Sequence, residues 1–125
     1  MKYLAILTAL FISTAHAQTA VELENTAQRI PGFVYCVDDD AIGENLWGSL
    51  QVSEDEFESI YKAYVKAGQC NGGFGWVFIQ KIINSGVVTV DNLRLNGFHA
   101  KAVSSPQDKR VWQIFFFTEL SGKGV

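Results

Sequence analysis

Cys36 and Cys70 are the only cysteines in the 125-residue chain, and the segment between them carries its clearest helix pattern. A bridge between them would close a loop of 35 residues and tie the end of that helix to the apolar segment around Cys36. In the chain-entropy description such a cross-link stabilises by roughly 4 kcal/mol, a large share of what a small domain has in total. Whether the two thiols pair depends on the redox compartment, so the N-terminus decides how they are read.

Met1-Lys2-Tyr3 is a short basic start, Leu4 to Ser13 is apolar apart from Thr8, and Ala15-His16-Ala17 places small residues at the two positions a signal peptidase inspects. This pattern predicts a signal peptide over residues 1–17 with cleavage after Ala17. The apolar run is well short of the roughly 20 residues that span a bilayer, so no membrane anchor remains after cleavage. Export to the periplasm or the medium places Cys36 and Cys70 in an oxidising compartment, where an isolated pair forms a structural disulfide. Metal and redox readings fit less well. Two thiolates and His99, the only histidine after residue 17, do not make a tetrahedral set, and C-x-x-C spacing is absent.

After cleavage 108 residues remain, with nine basic and thirteen acidic side chains and a net charge of −4. That balance argues against nucleic acid, which asks for a basic surface. A chain that is 48% hydrophobic is too apolar for disorder, and two cysteines are too few for a disulfide-dense scaffold. One small globular domain with a modest core remains.

Ser53 followed by Glu56 is a capping-box signature, acids at 54–56 suit the positive end of the helix dipole, and Phe57, Ile60, Tyr61, Tyr64 and Val65 recur at the helical period. Lys62 and Lys66 sit in the last turns and Gly68 supplies a stop, so a helix is expected over about 53–67. Phe33–Val37 is expected to be a strand and 38–50, rich in Asp, Gly, Asn and Ser, a long loop anchored by Leu46 and Trp47. Asn71-Gly72-Gly73 is expected to turn, Phe74–Ile83 to form a strand apolar on both faces, and Asn84-Ser85-Gly86 to turn again. Val87–Val90, Leu93–Leu95 and Phe98–Val103 follow, with Asn96-Gly97 as the strongest hairpin signal, and Val111–Thr118 is the last strand.

The order predicts an α+β domain: a small antiparallel sheet or partly closed barrel, one amphipathic helix packed on it, and one disulfide between the two. In strand count and hairpin spacing it resembles small barrels of the SH3-like kind, without a shared residue motif. Residues 18–32 are expected to be an arm or short helix, 33–119 the domain, and 120–125 a flexible tail.

Four groups of residues could carry chemistry. Asp38, Asp40 and Gly43 match the first, third and sixth places of an EF-hand loop, but Ile42 and Ser49 occupy the fifth and twelfth. A non-EF calcium site from Asp38, Asp40 and Glu44 is conceivable, yet solvated loop residues are the better reading, and no metal or other cofactor is expected. His99 is the one residue after the leader whose ordinary pKa suits a general base near neutrality, but no nucleophile or metal motif accompanies it. Trp76, Trp112 and Phe116 could form an aromatic platform for cell-wall glycan or peptide, with core filling as the competing account. Residues 38–58 contain eight acids and no base, whereas 59–125 contain three acids and eight bases.

That asymmetry leads the functional reading. The expectation is a non-enzymatic periplasmic or secreted protein that recognises another protein of cationic character, as an inhibitor or immunity protein would, through Asp38, Asp39, Asp40, Glu44 and Trp47. The alternative is an SH3-like module that binds cell-wall glycan or peptide through the exposed aromatics.

Overall fold

The structure is a computed structural model that describes residues 20–120. The expected signal peptide lies outside the described residues, as does most of the expected C-terminal tail. The elements run α1 (Ala20–Leu23), β1 (Thr26–Val37), α2 (Asp40–Val52), α3 (Glu54–Lys66), β2 (Cys70–Val90), β3 (Leu93–Val103) and β4 (Trp112–Glu119). All strand pairings are antiparallel, β1 with β2 and β4, β3 with β2 and β4, so the four-stranded sheet closes on itself. Closure is possible because β2 is 21 residues long and serves two partners, its first half pairing with β1 and its second with β3.

Strand alternation gives the sheet two apolar faces. Val34, Cys36, Phe115 and Phe117 join a core with Ile42, Leu46 and Leu50 of α2 and Phe57 and Tyr61 of α3. Their neighbours in sequence point the other way: Phe33, Ile114 and Phe116 pack with Ile30, Val77, Ile79, Phe98, Ala100 and Ala102, and Leu23 of α1 joins them. The run Phe115-Phe116-Phe117 therefore divides between the two cores, which is why three aromatics can follow one another in a buried strand.

The expected helix is present and capped as its sequence requires. Ser53 Oγ accepts from Glu56 N–H at 3.1 Å, and Gly68 takes the left-handed conformation, φ 76°, that closes the C-terminus. The Cys36–Cys70 disulfide is also present, with Cys36 and Cys70 facing each other across the β1–β2 ladder.

Three expectations are corrected. First, 38–50 is not a loop: α2 occupies most of it, so two helices and not one pack on the sheet. Asp39 caps α2 by accepting from Ala41 N–H at 2.9 Å, and Ile42, Leu46, Ser49 and Leu50 form its buried face. Second, the expected arm or short helix over 18–32 is a short helix only at Ala20–Leu23. Thr26 onward is already β1, with Pro31-Gly32 at a register shift that spares the ladder a donor Pro lacks. Third, neither Asn84-Ser85-Gly86 nor Asn96-Gly97 turns. The hairpin is Asp91-Asn92, both residues at positive φ (52° and 64°), with Val90 opposite Leu93. Gly97 instead faces Gly86 across the ladder, and a β-carbon on Gly97 would stand 3.1 Å from Val88. The Asn71-Gly72-Gly73 segment is likewise strand, opposite Phe33–Tyr35.

Candidate functional site

Among the described residues two concavities stand out, and the strands β2, β3 and β4 contribute to both. The first is polar, about 360 Å³, lined by Asp40, Glu44, Lys81, Ile82, Ile83, His99, Lys101 and Gln113. His99 lies at its base, 2% exposed, its ring parallel to Phe115 at 4.5 Å and stacked under Trp47 at 6.5 Å. Gln113 Nε2 donates to Asp38 Oδ1 at 3.2 Å and Asp40 Oδ1 at 3.3 Å, so its Oε1 accepts from His99 Nε2 at 2.6 Å. Asn84 Nδ2 donates to His99 Nδ1 at 3.0 Å. This order of donors and acceptors is satisfied only by a neutral imidazole protonated at Nε2. Burial holds His99 below its usual pKa, partly offset by the Gln113 hydrogen bond.

Lys101 Nζ completes the cluster, 3.4 Å from Asp38 Oδ1 and 3.7 Å from Asp40 Oδ1. Gly43 allows α2 to lie against it: a β-carbon there would stand 2.0 Å from Gln113 Oε1 and 2.7 Å from His99 Nε2. With both ring nitrogens occupied and the helix pressed onto the ring, His99 presents no free atom to a substrate. Among the described residues no group of three or more His, Cys, Asp or Glu is placed to hold a metal ion.

The acidic segment is used largely by its own helices. Asp39 caps α2, Asp38 and Asp40 hold Gln113 and Lys101, and Glu54 Oε1 accepts from Asp91 N–H at 3.0 Å, fastening α3 to the β2–β3 turn. Burial raises the Glu54 pKa, partly offset by the bond from Asp91 N–H and reinforced by the neighbouring Asp91 and Asp55 carboxylates. Glu58 is buried, and Trp47 lies half-buried between His99 and Gly86. Asp40 and Glu44 remain the solvent-facing acids at the polar concavity.

The second concavity is apolar, about 400 Å³, and lies where β2 and β3 part company beyond the Phe78–Val103 pair. One wall is Gly72–Val77, the other Ala102–Ser104 with Trp112 and Ile114, and Phe33 and Tyr35 complete it. Phe74 is 82% exposed and Trp76 64%, the two most exposed aromatics among the described residues. Trp112 is half-buried, edge-on to Tyr35 at 5.0 Å, with the Arg110 guanidinium 4.1 Å above its ring. Gly73 leaves room for this floor, since a β-carbon there would meet the Phe33 ring at 2.9 Å.

Of the aromatics singled out from sequence, Trp76 and Trp112 thus meet in one groove, while Phe116 is 2% exposed and stacks on Phe98 in the core beneath. Sequence reasoning missed Phe74 and Tyr35. The signal that could have found Phe74 is the run Asn71-Gly72-Gly73-Phe74-Gly75-Trp76, in which bulky rings alternate with glycines too small to cover them. No family model, no curated protein and no solved structure matches this chain.

Proposed function

We propose that the protein is an exported binding module, acting without catalysis, that takes its ligand in the aromatic groove between the start of β2 and the β3–β4 connection. The observation that carries this reading is the pair Phe74 and Trp76, large apolar side chains left in solvent beside a concave apolar surface in a domain that buries six of its other described phenylalanines and half-buries Phe78. Such a surface gains free energy when an apolar or ring-bearing ligand covers it, and exposed aromatics contiguous with a concave surface mark interaction sites. The disulfide is consistent with an oxidising environment, which supports the periplasmic or extracellular setting.

Recognition of a cationic protein by the acidic surface is the competing reading, favoured by Asp40, whose side chain is 79% exposed. One experiment separates the two. Oxidised protein comprising residues 18–125 is immobilised and offered purified peptidoglycan and, separately, a secreted and envelope protein fraction. The Phe74→Ala, Trp76→Ala double variant is expected to lose what the native protein retains, while the charge reversal Glu44→Lys, at an exposed acid of the same surface, leaves retention intact. Retention abolished by the charge reversal and untouched by the alanines would overturn the groove reading in favour of the acidic surface.

A further inference from the structure

We infer that the groove's ligand is an extended peptide that adds a strand to the free edge of β2 along Gly72–Trp76; this inference rests on the groove being the binding site. The first half of β2 pairs only with β1, because β3 leaves it after Val103 opposite Phe78. Antiparallel pairing turns the backbone groups of successive residues to opposite sides. Ile79 faces β1, since its carbonyl accepts from Asn25 N–H at 2.8 Å, and Gly75 and Gly73 share its parity. The N–H and C=O groups of Gly72, Phe74 and Trp76 therefore point away from β1, toward the side on which Phe78 meets Val103.

The other end of this stretch agrees: Val37 N–H bonds to the Gln69 carbonyl at 2.9 Å, so the odd-numbered residues face β1, and Gly72 N–H bonds to the Asn71 side chain at 2.8 Å. Phe74 and Trp76 consequently offer peptide groups to the groove along with their rings. A sugar could use the rings, but a row of backbone donors and acceptors at strand spacing is what another strand satisfies. An exposed edge flanked by large apolar side chains is an aggregation hazard unless a partner covers it.

The rim sets the partner's charge. Arg29 stands opposite Trp76 in the β1–β2 register, Arg110 covers Trp112, and Lys109 precedes it. Asp108 is engaged by Ser104 Oγ and by Arg110 N–H. The fitting peptide is extended, apolar or aromatic at alternate positions, and carries a carboxylate at its flank.

The test is a phage-displayed random dodecapeptide library panned on the oxidised native protein and counter-selected on the Phe74→Ala, Trp76→Ala variant. Recovered peptides are synthesised with alternate backbone amides N-methylated in the two possible registers. Strand addition predicts that one register loses affinity by about tenfold or more, because the hydrogen bonds its amides make to the β2 edge disappear, while the other register changes little. Equal affinity in both registers would overturn strand addition and leave the groove reading standing. Failure to recover any peptide, with peptidoglycan disaccharide binding that the alanines abolish, would do the same. A dimer in sedimentation that the alanines dissolve would replace the peptide with a second copy of the chain. Peptides or sugars that bind both proteins equally would sink the groove reading itself.

Discussion

The polar cluster around His99 and the aromatic groove around Trp76 are built from neighbouring residues of the same strands and finished in opposite ways. On β4, Gln113 turns toward α2 while Trp112 and Ile114 turn toward the groove; on β3, His99 and Lys101 alternate with Ala100 and Ala102. The polar side chains are closed into a chain of hydrogen bonds and ion pairs under a helix, and each of His99's ring nitrogens has a partner inside the molecule. The groove has the exposed rings of Phe74 and Trp76 and a stretch of β2 that no strand besides β1 pairs. The cluster rich in titratable groups is internally satisfied, and the surface dominated by exposed rings is the better candidate for recognition. Chemical variety alone does not locate function; unsatisfied surface does.

The comparison can be broken in four places, in decreasing order of expected effect. Replacing both bridge residues, Cys36→Ala with Cys70→Ala, should lower stability by roughly 4 kcal/mol, read from urea denaturation; a loss under about 1 kcal/mol would mean the helices are held by packing alone. Gly43→Ala should cost about 1–3 kcal/mol, because the new methyl collides with the Gln113–His99 pair. Gly48→Ala in the same helix, where a β-carbon meets nothing within 4 Å, should be neutral or stabilising by up to about 1 kcal/mol. Equal effects at the two glycines would mean that α2 does not press on the cluster.

The third concerns acid. A buried neutral His99 with a lowered pKa binds fewer protons when folded than when unfolded. Its contribution is therefore complete above the ordinary imidazole value of 6.5 and is lost as pH falls below it. Denaturation between pH 6.5 and 5 should show stability declining by up to about 1.4 kcal/mol per pH unit, and His99→Phe should flatten that decline while being less stable at neutral pH. A native curve that is flat over this range would place His99 in solvent. Last, Trp76→Ala should leave stability within about 0.5 kcal/mol of native, in keeping with an exposed ring. A large loss would make Trp76 a structural residue and remove the groove from consideration.

Much of this architecture is legible from local chemistry. The capping box, the helical period of Phe57 to Val65 and the cysteine pair each specify a feature through residues close in sequence, or through a covalent bond. What was not legible depends on distant neighbours. Gly43 and Gly48 look like helix breakers in 38–50, yet Gly43 is required because Gln113, seventy residues later, lies where a side chain would be. Asn96-Gly97 has the chemistry of a hairpin but lies inside β3, while Asp91-Asn92 makes the turn. The strand register decides between them. For the same reason the sequence could nominate Trp76, Trp112 and Phe116 together but could not divide them: Trp112 and Phe116 share a face of β4, and it is the ring of Phe98, stacked on Phe116, that separates the buried aromatic from the groove.

The three tryptophans stand in three different surroundings: Trp47 stacked over His99, Trp76 open to water, and Trp112 beneath a guanidinium. The molecule thereby carries its own optical labels. Emission from Trp76 is open to a soluble quencher and to a ligand in the groove. Emission from Trp47, half-buried on α2, responds to the protonation of the imidazole stacked beside it. With single-tryptophan variants, occupancy of the groove and the state of the buried cluster can be followed as two separate signals in one untagged protein.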